Sequence, residues 1–526
     1  MIVEKWILVA AVMAGVIPLV VASYQFLLIG WHFRRLHYAS CAPYFPRTAI
    51  LIPAWNEAAV LGASIDRLMG LEYPRESLRV YVIDDASTDQ TPQVVAAKAA
   101  QYPGCIVHLR REVGGQGKAH TLNHGLTQIL ASDWMQAVLI MDSDVIYEPP
   151  SLRLMTRHLA DPEVGSVTAY IKEGSAGLGG RPPGAPRKAR GGNYLTRFIG
   201  YEYITAQAAA RRSQNVLGAI ACLAGGAQLH SRANLEAIGG QIDTGTLAED
   251  TITTIKTQLR GARVVFEPHA VVWAEEPDSI GGLWKQRLRW ARGNVQVSLR
   301  FWRIWFHPRI RPRPAGGARP DAPYPNTGGH RLGSISFGLF WFSLLLQPIF
   351  MIMASASLIT LFFIDKSLAW QAFHALWITN LLTYAFITSF ALLIDPPTGR
   401  RVWREALLFP GAISLIIMLA AIAPVPLRFL AYHGLSHVGA YGAGGLAGGV
   451  ELFTYVWLGG SMLVAYLAKL LETRFGGRFT SPLLIYLAGY GALLCAVTFA
   501  AFVKQLRGAD VTWDKTEKTG KVAISA

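Results

Sequence analysis

Apolar and polar positions follow two rhythms along this chain, and the change between them divides it. Residues 6 to 30 form an apolar run about one bilayer thick, followed by Arg34, Arg35 and Arg47. The run is too long for a secretory signal and lacks the small-residue cleavage site, so it predicts a retained membrane anchor. The basic residues behind it assign the next segment to the cytoplasm. From 48 to 292 the rhythm shortens: "TAILIP", "LRVYVID", "AVLIMDSD" and "ARVVFEP" alternate with stretches of helical period. That alternation predicts an α/β domain, a mostly parallel sheet covered by helices.

Long apolar segments return near 335–364, 369–394, 405–423, 450–471 and 483–503, each able or nearly able to span a bilayer. Arg400, Arg401 and Arg404 mark one cytoplasmic turn and Arg474 with Arg478 another, while the Gly-rich, nearly uncharged stretch 424–449 reads as an external loop. Six spans from an outside N-terminus would leave the tail outside, yet Lys504, Arg507, Lys515, Lys518 and Lys521 argue for inside. One segment is therefore expected to be re-entrant or interfacial, unless the first span is miscounted. Two Gly/Pro/Arg-rich stretches, 174–193 and 311–331, cannot bury enough apolar surface to order alone and are expected to be mobile. Between them, "VQVSLRFWRIWFHPRI" (295–310) interleaves aromatic and basic residues as an interfacial helix does. The predicted organisation is an anchor (1–47), a catalytic domain (48–292), an interfacial helix with a flexible loop (293–334), a transmembrane helical region (335–508) and a basic tail (509–526).

Composition agrees with this division. Of 526 residues 52% are hydrophobic and only 16% charged, below the roughly 25% of soluble globular proteins. The chain reads as a membrane protein with a soluble part. A net charge of +15 suits anionic lipid or an anionic substrate, and the apolar spans argue against nucleic acid as a partner. Cys41, Cys105, Cys222 and Cys495 lie far apart with no CxxC pair, which excludes a disulfide framework and a zinc site and points to a reducing compartment.

Candidate chemistry gathers at strand ends. "VYVIDDAS" ends an apolar strand with Asp84 and Asp85, and "VLIMDSDV" ends another with Asp142 and Asp144. Ligands of open α/β sheets bind beyond the carboxyl ends of strands. Alternate residues of an extended chain point the same way, so the D-S-D pair offers hard oxygens to Mg²⁺ or Mn²⁺, and such an ion bridges a diphosphate. Taken singly, a pair of this kind is more often an acidic turn capping a strand, and it is the second pair at another strand end that favours a site. In "REVGGQGKAHTLNHG" (111–125) the glycines permit close backbone approach to an anion and Lys118 supplies a point charge, at a spacing that is not Walker A. "TLAEDTITTIKTQLRG" puts Glu249 and Asp250 at a helix start, where Asp250 stays ionised and can act as general base, or simply serves as an acidic first turn. In "LWKQRLRWARG" (283–293), Gln286, Arg289 and Trp290 stand at i, i+3 and i+4, presenting an amide, a guanidinium and a flat ring on one helix face.

In order, "IPAWNE", "VIDDASTD", "GKAHTLN", "MDSD", "AED" and Q-R-L-R-W resemble the membrane-embedded processive family 2 glycosyltransferases, over about 48–310. "EDT…FEP…GLWKQRLRWARG" is similar to the pattern of poly-N-acetylglucosamine synthases within that family. The resemblance implies a GT-A fold and a metal-dependent, inverting transfer from a UDP-sugar, UDP-GlcNAc before UDP-glucose, to a growing β-linked polysaccharide that crosses the membrane. It implies that Glu57, Asp84, Asp85, Lys118 and Asp142 bind the donor with Gln286 and Arg289, and that Asp144 with Asp142 ligates Mg²⁺ or Mn²⁺. It further implies that Asp250, beside Glu249, is the base and that Trp290 holds the acceptor. The chain departs from the family at Ala248, where a Thr is usual, and at His120-Thr121 within the Lys118 motif. The implied setting is the inner membrane, multi-pass, with lipids and accessory secretion proteins as partners. A non-processive transferase to a lipid-linked acceptor lacks the Q-R-L-R-W helix, and a transporter would carry ionisable residues in its spans, where this chain shows almost none.

Overall fold

The N-terminal apolar run folds as two successive helices, α1 (Ile2–Ala14) and α2 (Ile17–Arg34), which together are long and apolar enough to cross a membrane. The computed structural model describes residues 2–34, 41–174, 193–307, 331–422, 443–476 and 480–509. Apart from Gly174, Asn193 and Arg331 at their ends, the two stretches expected to be mobile fall outside the described residues, as do most of the 424–449 loop and residues 510–526 of the basic tail. The chain divides into two compact units. One consists of residues 28–278 and 296–338, the other of 1–27, 279–295 and 339–509.

The first unit is built on one eight-stranded sheet of order β3-β2-β1-β4-β7-β6-β8-β5. Its strands are β1 (Thr48–Ala54), β2 (Leu78–Asp84), β3 (Ile106–Arg110), β4 (Ala137–Ile140), β5 (Ile146–Tyr147), β6 (Val164–Glu173), β7 (Gln228–Ser231) and β8 (Arg263–Ala274). Helices α3 (Ala58–Met69), α4 (Thr91–Gln101), α5 (Lys118–Leu130), α6 (Ser151–Thr156), α7 (Tyr194–Glu202), α8 (Ala210–Leu217), α9 (Arg232–Ala237), α10 (Glu249–Leu259) and α11 (Ile280–Arg300) alternate with or follow these strands. β1 and β4 are apolar almost without interruption because helices cover both faces of a central parallel strand. Leu122, Leu126 and Ile129 of α5 close over Leu51, Ile83, Val138 and Ile140, which fixes the α5 N-terminus beside the strand ends.

The expected parallel core exists as β3-β2-β1-β4, and β6 is also parallel to β8. The other half makes the sheet mixed: β7 runs antiparallel to both β4 and β6, and β5 antiparallel to β8. β7, "QLHS", carries no apolar run and therefore shows no strand signal of its own. Behind it, Ser166 Oγ and His230 Nδ1 lie 2.8 Å apart, and Asn234 donates to Ser166 at 3.1 Å. The expected 295–310 helix is shorter: α11 ends at Arg300 and residues 301–306 form turns that bury Phe301, Ile304 and Trp305. Trp302 remains 64% exposed, with the Arg303 guanidinium 5.1 Å from its ring centre.

Among the described residues the second unit holds most of the long apolar helices. Four helices among the described residues are long and apolar enough to cross a membrane: 2–32, Gln347–Ile364, Lys366–Ile394 and Gly448–Phe475. The expected segments 405–423 and 483–503 are instead bent pairs, Pro396–Leu407 with Ala412–Ile422 at 77° and Thr480–Ala488 with Tyr490–Leu506 at 93°, giving up to six spans if each pair is one. Both elbows are glycine. Gly411 (φ 89°) and Gly489 (φ 101°) lie against each other, and a Cβ on Gly411 would stand 2.5 Å from Gly489 N. Gly491 N–H then donates to Phe409 O across the same contact at 3.1 Å.

These elbows set the stability of the helical unit. Gly489→Ala should destabilise it by roughly 2 kcal/mol or more, through both backbone conformation and overpacking. Gly449→Ala, with open space around it, should be neutral or stabilising. Thermal unfolding of the detergent-solubilised protein reads both. In the sheet unit, burial pushes His230 down to about 3 from 6.5. The unfolded chain takes up a proton that the folded chain refuses, so stability is whole above a pH of about 6.5 and falls as pH drops towards about 3. His230→Gln should flatten that part of the pH dependence in urea titrations.

Candidate active site

The loops after β1 and β2 are stitched to each other. Asn56 adopts a left-handed backbone (φ 54°), and its Oδ1 accepts from Thr88 N at 2.8 Å and Asp89 N at 3.3 Å. Asp89 in turn accepts from Ala58 N at 3.1 Å, and Glu57 N–H donates to Thr91 Oγ1 at 2.9 Å. Glu57 is half-buried at the start of α3. Asp84 is fully buried and accepts from Ser87 N at 2.8 Å and Arg110 Nη1 at 2.7 Å. Asp85 pairs with Arg111 and accepts from Gly115 N at 2.9 Å. The two carboxylates thus hold the end of β3 and the glycine loop against β2.

Lys118, the first residue of α5, is the centre of the site. Its Nζ lies 2.6 Å from Asp142 Oδ1 and 3.7 Å from Glu249 Oε1, and donates to Gly225 O at 3.2 Å. Burial alone would lower this ammonium, but Asp142, Glu249 and Asp250 outweigh it and raise it to about 12. Lys118 therefore stays protonated across the working range. The D-S-D segment is not extended, as the sequence suggests, but a turn closed by Val145 N–H to Asp142 O at 3.2 Å. Asp144 is buried, whereas Asp142 is half-buried on Lys118. Among the described residues no three His, Cys, Asp or Glu side chains converge as a metal cage. Mg²⁺ and Mn²⁺ commonly take one or two carboxylates and complete their shell with phosphate oxygens and water, so the Asp142–Asp144 pair fits such an ion in the company of a diphosphate.

Asp250 opens α10 next to Glu249. Ala248, at the N-cap, contributes no side-chain bond; instead Asp250 Oδ1 accepts from Thr251 N at 2.7 Å. The helix N-terminus favours a carboxylate there. Gly225 packs on the open side: a Cβ would stand 3.3 Å from Asp250 Oδ2 and 3.6 Å from Lys118 Nζ, so only a bare backbone leaves the two groups accessible to each other. The 219–226 loop is held by α10, with Leu223 N–H donating to Thr254 Oγ1 at 2.8 Å and Ile220 N–H to Gln258 Oε1 at 3.0 Å. The loop leading into α10 is latched as well. Asn123 exchanges both amide bonds with Ile242 (2.9 and 2.7 Å), and Asp243 pairs with Arg300 at 2.8 Å. Leu247 N–H donates to Gln296 Oε1 at 3.0 Å, on the last turns of α11.

Lys118, Asp142, Glu249 and Asp250 are brought together as the motifs suggest. Gln286, Arg289 and Trp290 belong to the other unit, where Gln286 Oε1 accepts from Arg287 at 2.5 Å and the Arg287 guanidinium lies 4.1 Å from the Trp290 ring centre. That stacking partner sits at i−3 from Trp290, inside the motif but off the face singled out from the sequence, which likewise gave no role to Gly225, Asn56 or the Asp243–Arg300 latch. The i, i+3 spacing of Arg287 and Trp290 is the available signal for the first; the others are long-range pairings with no local signature.

Residues 46–293 match the model described as "Glycosyltransferase like family 2". The poly-beta-1,6-N-acetyl-D-glucosamine synthase of Staphylococcus aureus (strain COL) is 29% identical over 251 residues, 48% of this chain and 55% of that protein. The synthase of the same name from Staphylococcus epidermidis is 30% identical over 256 residues, 48% and 56%. The chain spans about half the length of these curated relatives. Among solved structures it is similar to a mannosyltransferase from Pyrobaculum calidifontis in complex with GDP-Man and Mn²⁺, at 22% identity and a TM-score of 0.46, over 79% of this chain and 99% of that one. With its mixed GT-A-type sheet and the carboxylates around Lys118, the 46–293 segment is a family 2 glycosyltransferase domain.

Proposed function

We propose that the chain is a processive, inverting glycosyltransferase of the inner membrane, extending a β-linked polysaccharide from a UDP-sugar and passing it across the bilayer, with the catalytic domain cytoplasmic. The observation that carries this reading is the carboxylate of Asp250 at a helix start, with its Oδ2 side kept open by Gly225, beside the Lys118–Asp142 pair. UDP-GlcNAc is the favoured donor because the named relatives make an N-acetylglucosamine polymer.

In the reaction, Asp250 takes the proton of the acceptor hydroxyl as its oxygen forms a bond to the anomeric carbon. The bond from that carbon to the diphosphate oxygen breaks, and UDP leaves with the electron pair. Lys118 donates to the departing diphosphate in place of part of its present carboxylate contacts. Asp142 and Asp144 would hold Mg²⁺ or Mn²⁺, which supplies positive charge to the diphosphate. Glu57, Asp84 and Asp85 shape the nucleotide side through the loops they fix. Gln286 and Arg289 are assigned to the diphosphate and Trp290 to the terminal sugar by their motif. Ring stacking suits a sliding polymer because it depends little on each hydroxyl's position.

A panel of UDP-sugars offered to the protein in nanodiscs with Mn²⁺ tests the proposal: UDP release with long polymer supports it, and transfer of one sugar to lipid overturns processivity. Asp250→Asn should lower transfer on the order of 10²- to 10⁴-fold while UDP still binds. Asp144→Ala should lose metal-dependent UDP binding too, read by calorimetry with and without Mn²⁺. Trp290→Ala should shorten the product, seen by gel sizing, more than it weakens UDP binding.

A further inference from the structure

Helix α7 begins on Asn193, whose Oδ1 caps Leu195 N at 2.9 Å and Thr196 N at 3.1 Å, and continues through a π-helical stretch, Tyr203–Ala209, into α8. Such wide turns recur at functional sites, where they re-aim the next residues of the helix. Here those residues include Arg211 and Arg212, both buried. They differ in what they touch. Arg212 donates to Ala208 O at 3.0 Å and lies over the Phe266 ring. Arg211, only 8% exposed, makes no hydrogen bond or ion pair among the described residues, and its Nη1 is sealed from solvent without a partner.

A guanidinium cannot shed its charge, and leaving one buried and unpartnered is strongly unfavourable. The groups whose charges reach Arg211 are Cys222, Asp250 and Tyr203, whereas those reaching Lys118 are Asp142, Glu249 and Asp250. The charge of Asp250 thus reaches both cations, and Gly225, in the loop tied to α8 through Ala221 and Gln214, packs against Asp250 Oδ2. The framework around Arg211 is stiff: Gln214 on α8 accepts from Ala221 N at 2.9 Å, and the same loop is tied to α10 through Thr254 and Gln258. The helix that carries Arg211 is thus tied to that loop, and Arg211 Nη1 is left as the orphaned donor.

We infer that Arg211 is an acceptor-binding residue, donating from its buried guanidinium to an oxygen of the terminal acceptor sugar beside the hydroxyl that Asp250 deprotonates. This rests on the transferase reading and adds to it the group that selects and orients the acceptor. Arg suits the task because it only donates, and the substituents flanking a sugar hydroxyl, ring hydroxyls or an acyl carbonyl, accept. Arg211 and Asp250 then grip one sugar by complementary chemistry, the carboxylate receiving a proton and the guanidinium supplying hydrogen bonds.

The test uses full-length protein in nanodiscs, with UDP-GlcNAc as donor and short β-1,6-linked N-acetylglucosamine oligomers as acceptor. Arg211→Met should raise KM for the oligomer on the order of tenfold or more, with UDP affinity and the pH profile of kcat unmoved. Arg211→Lys should recover part of the loss. An unchanged acceptor KM with a lowered kcat and a displaced pH profile would mean that Arg211 acts only on the charge of Asp250, and the inference fails. It fails equally if both variants lose UDP affinity, which would put Arg211 on the donor side or in the fold. Failure of the parent reading looks different: the wild-type protein would then release no UDP from any sugar nucleotide.

Discussion

The site depends on one ammonium in an unfavourable place. Lys118 is the first residue of α5, where the helix dipole opposes a cation, and it is buried, which opposes it again. Three carboxylates reverse both penalties. Asp142 comes from the end of β4, while Glu249 and Asp250 come from the start of α10, so the charge of Lys118 is what lets two acidic chain segments more than a hundred residues apart approach each other. Remove the cation and like charges meet in a half-buried crevice. Ordinary helix capping would put an acidic or neutral residue at this position; the choice of lysine makes sense only in terms of those carboxylates and of an anionic ligand that competes for it.

Everything local about this arrangement was legible in the sequence. The apolar strands β1, β2 and β4 announce themselves by composition, the acidic pairs mark their ends, and the helix start at Glu249 follows from an acidic first turn before a periodic stretch. What resisted reading depends on distant pairing. β7 is a strand because β4 and β6 flank it, not because "QLHS" favours one. The D-S-D segment turns because the chain must leave β4 and reach β5 within a few residues, so the strand periodicity argument for its side chains does not apply. Arg211 and Arg212 are adjacent and alike in sequence, yet one is partnered and the other is not, a difference set by Ala208 and Phe266 and invisible to any local pattern.

The membrane segments repeat the lesson in a different solvent. Hydropathy located each apolar stretch but could not say which were straight. The bends at Gly411 and Gly489 come from a backbone-to-backbone contact that no side chain allows, and each sits where an otherwise plausible span is interrupted. Freed backbone groups inside lipid need partners, and the Gly491–Phe409 hydrogen bond between the two elbows supplies one. Either elbow, counted as a re-entrant turn, changes the parity of crossings, which is the adjustment the basic residues near the C-terminus require.

Asp250 lies between two cations in opposite states of readiness. Lys118 is already paired with carboxylates, so on the proposed reading a diphosphate engages it by displacing some of that contact, and the site yields its internal ion pairs as the donor enters. Arg211 Nη1 has no hydrogen-bond partner, so on the inference drawn above a ligand there satisfies a buried donor instead of exchanging one partner for another. On that reading the two halves differ in what binding costs: exchange on the proposed donor side, relief on the proposed acceptor side. A transferase that must release UDP after each addition yet keep hold of its polymer needs that asymmetry, a donor subsite whose own ion pairs re-form to help expel the product, and an acceptor subsite that regains its cost whenever it empties.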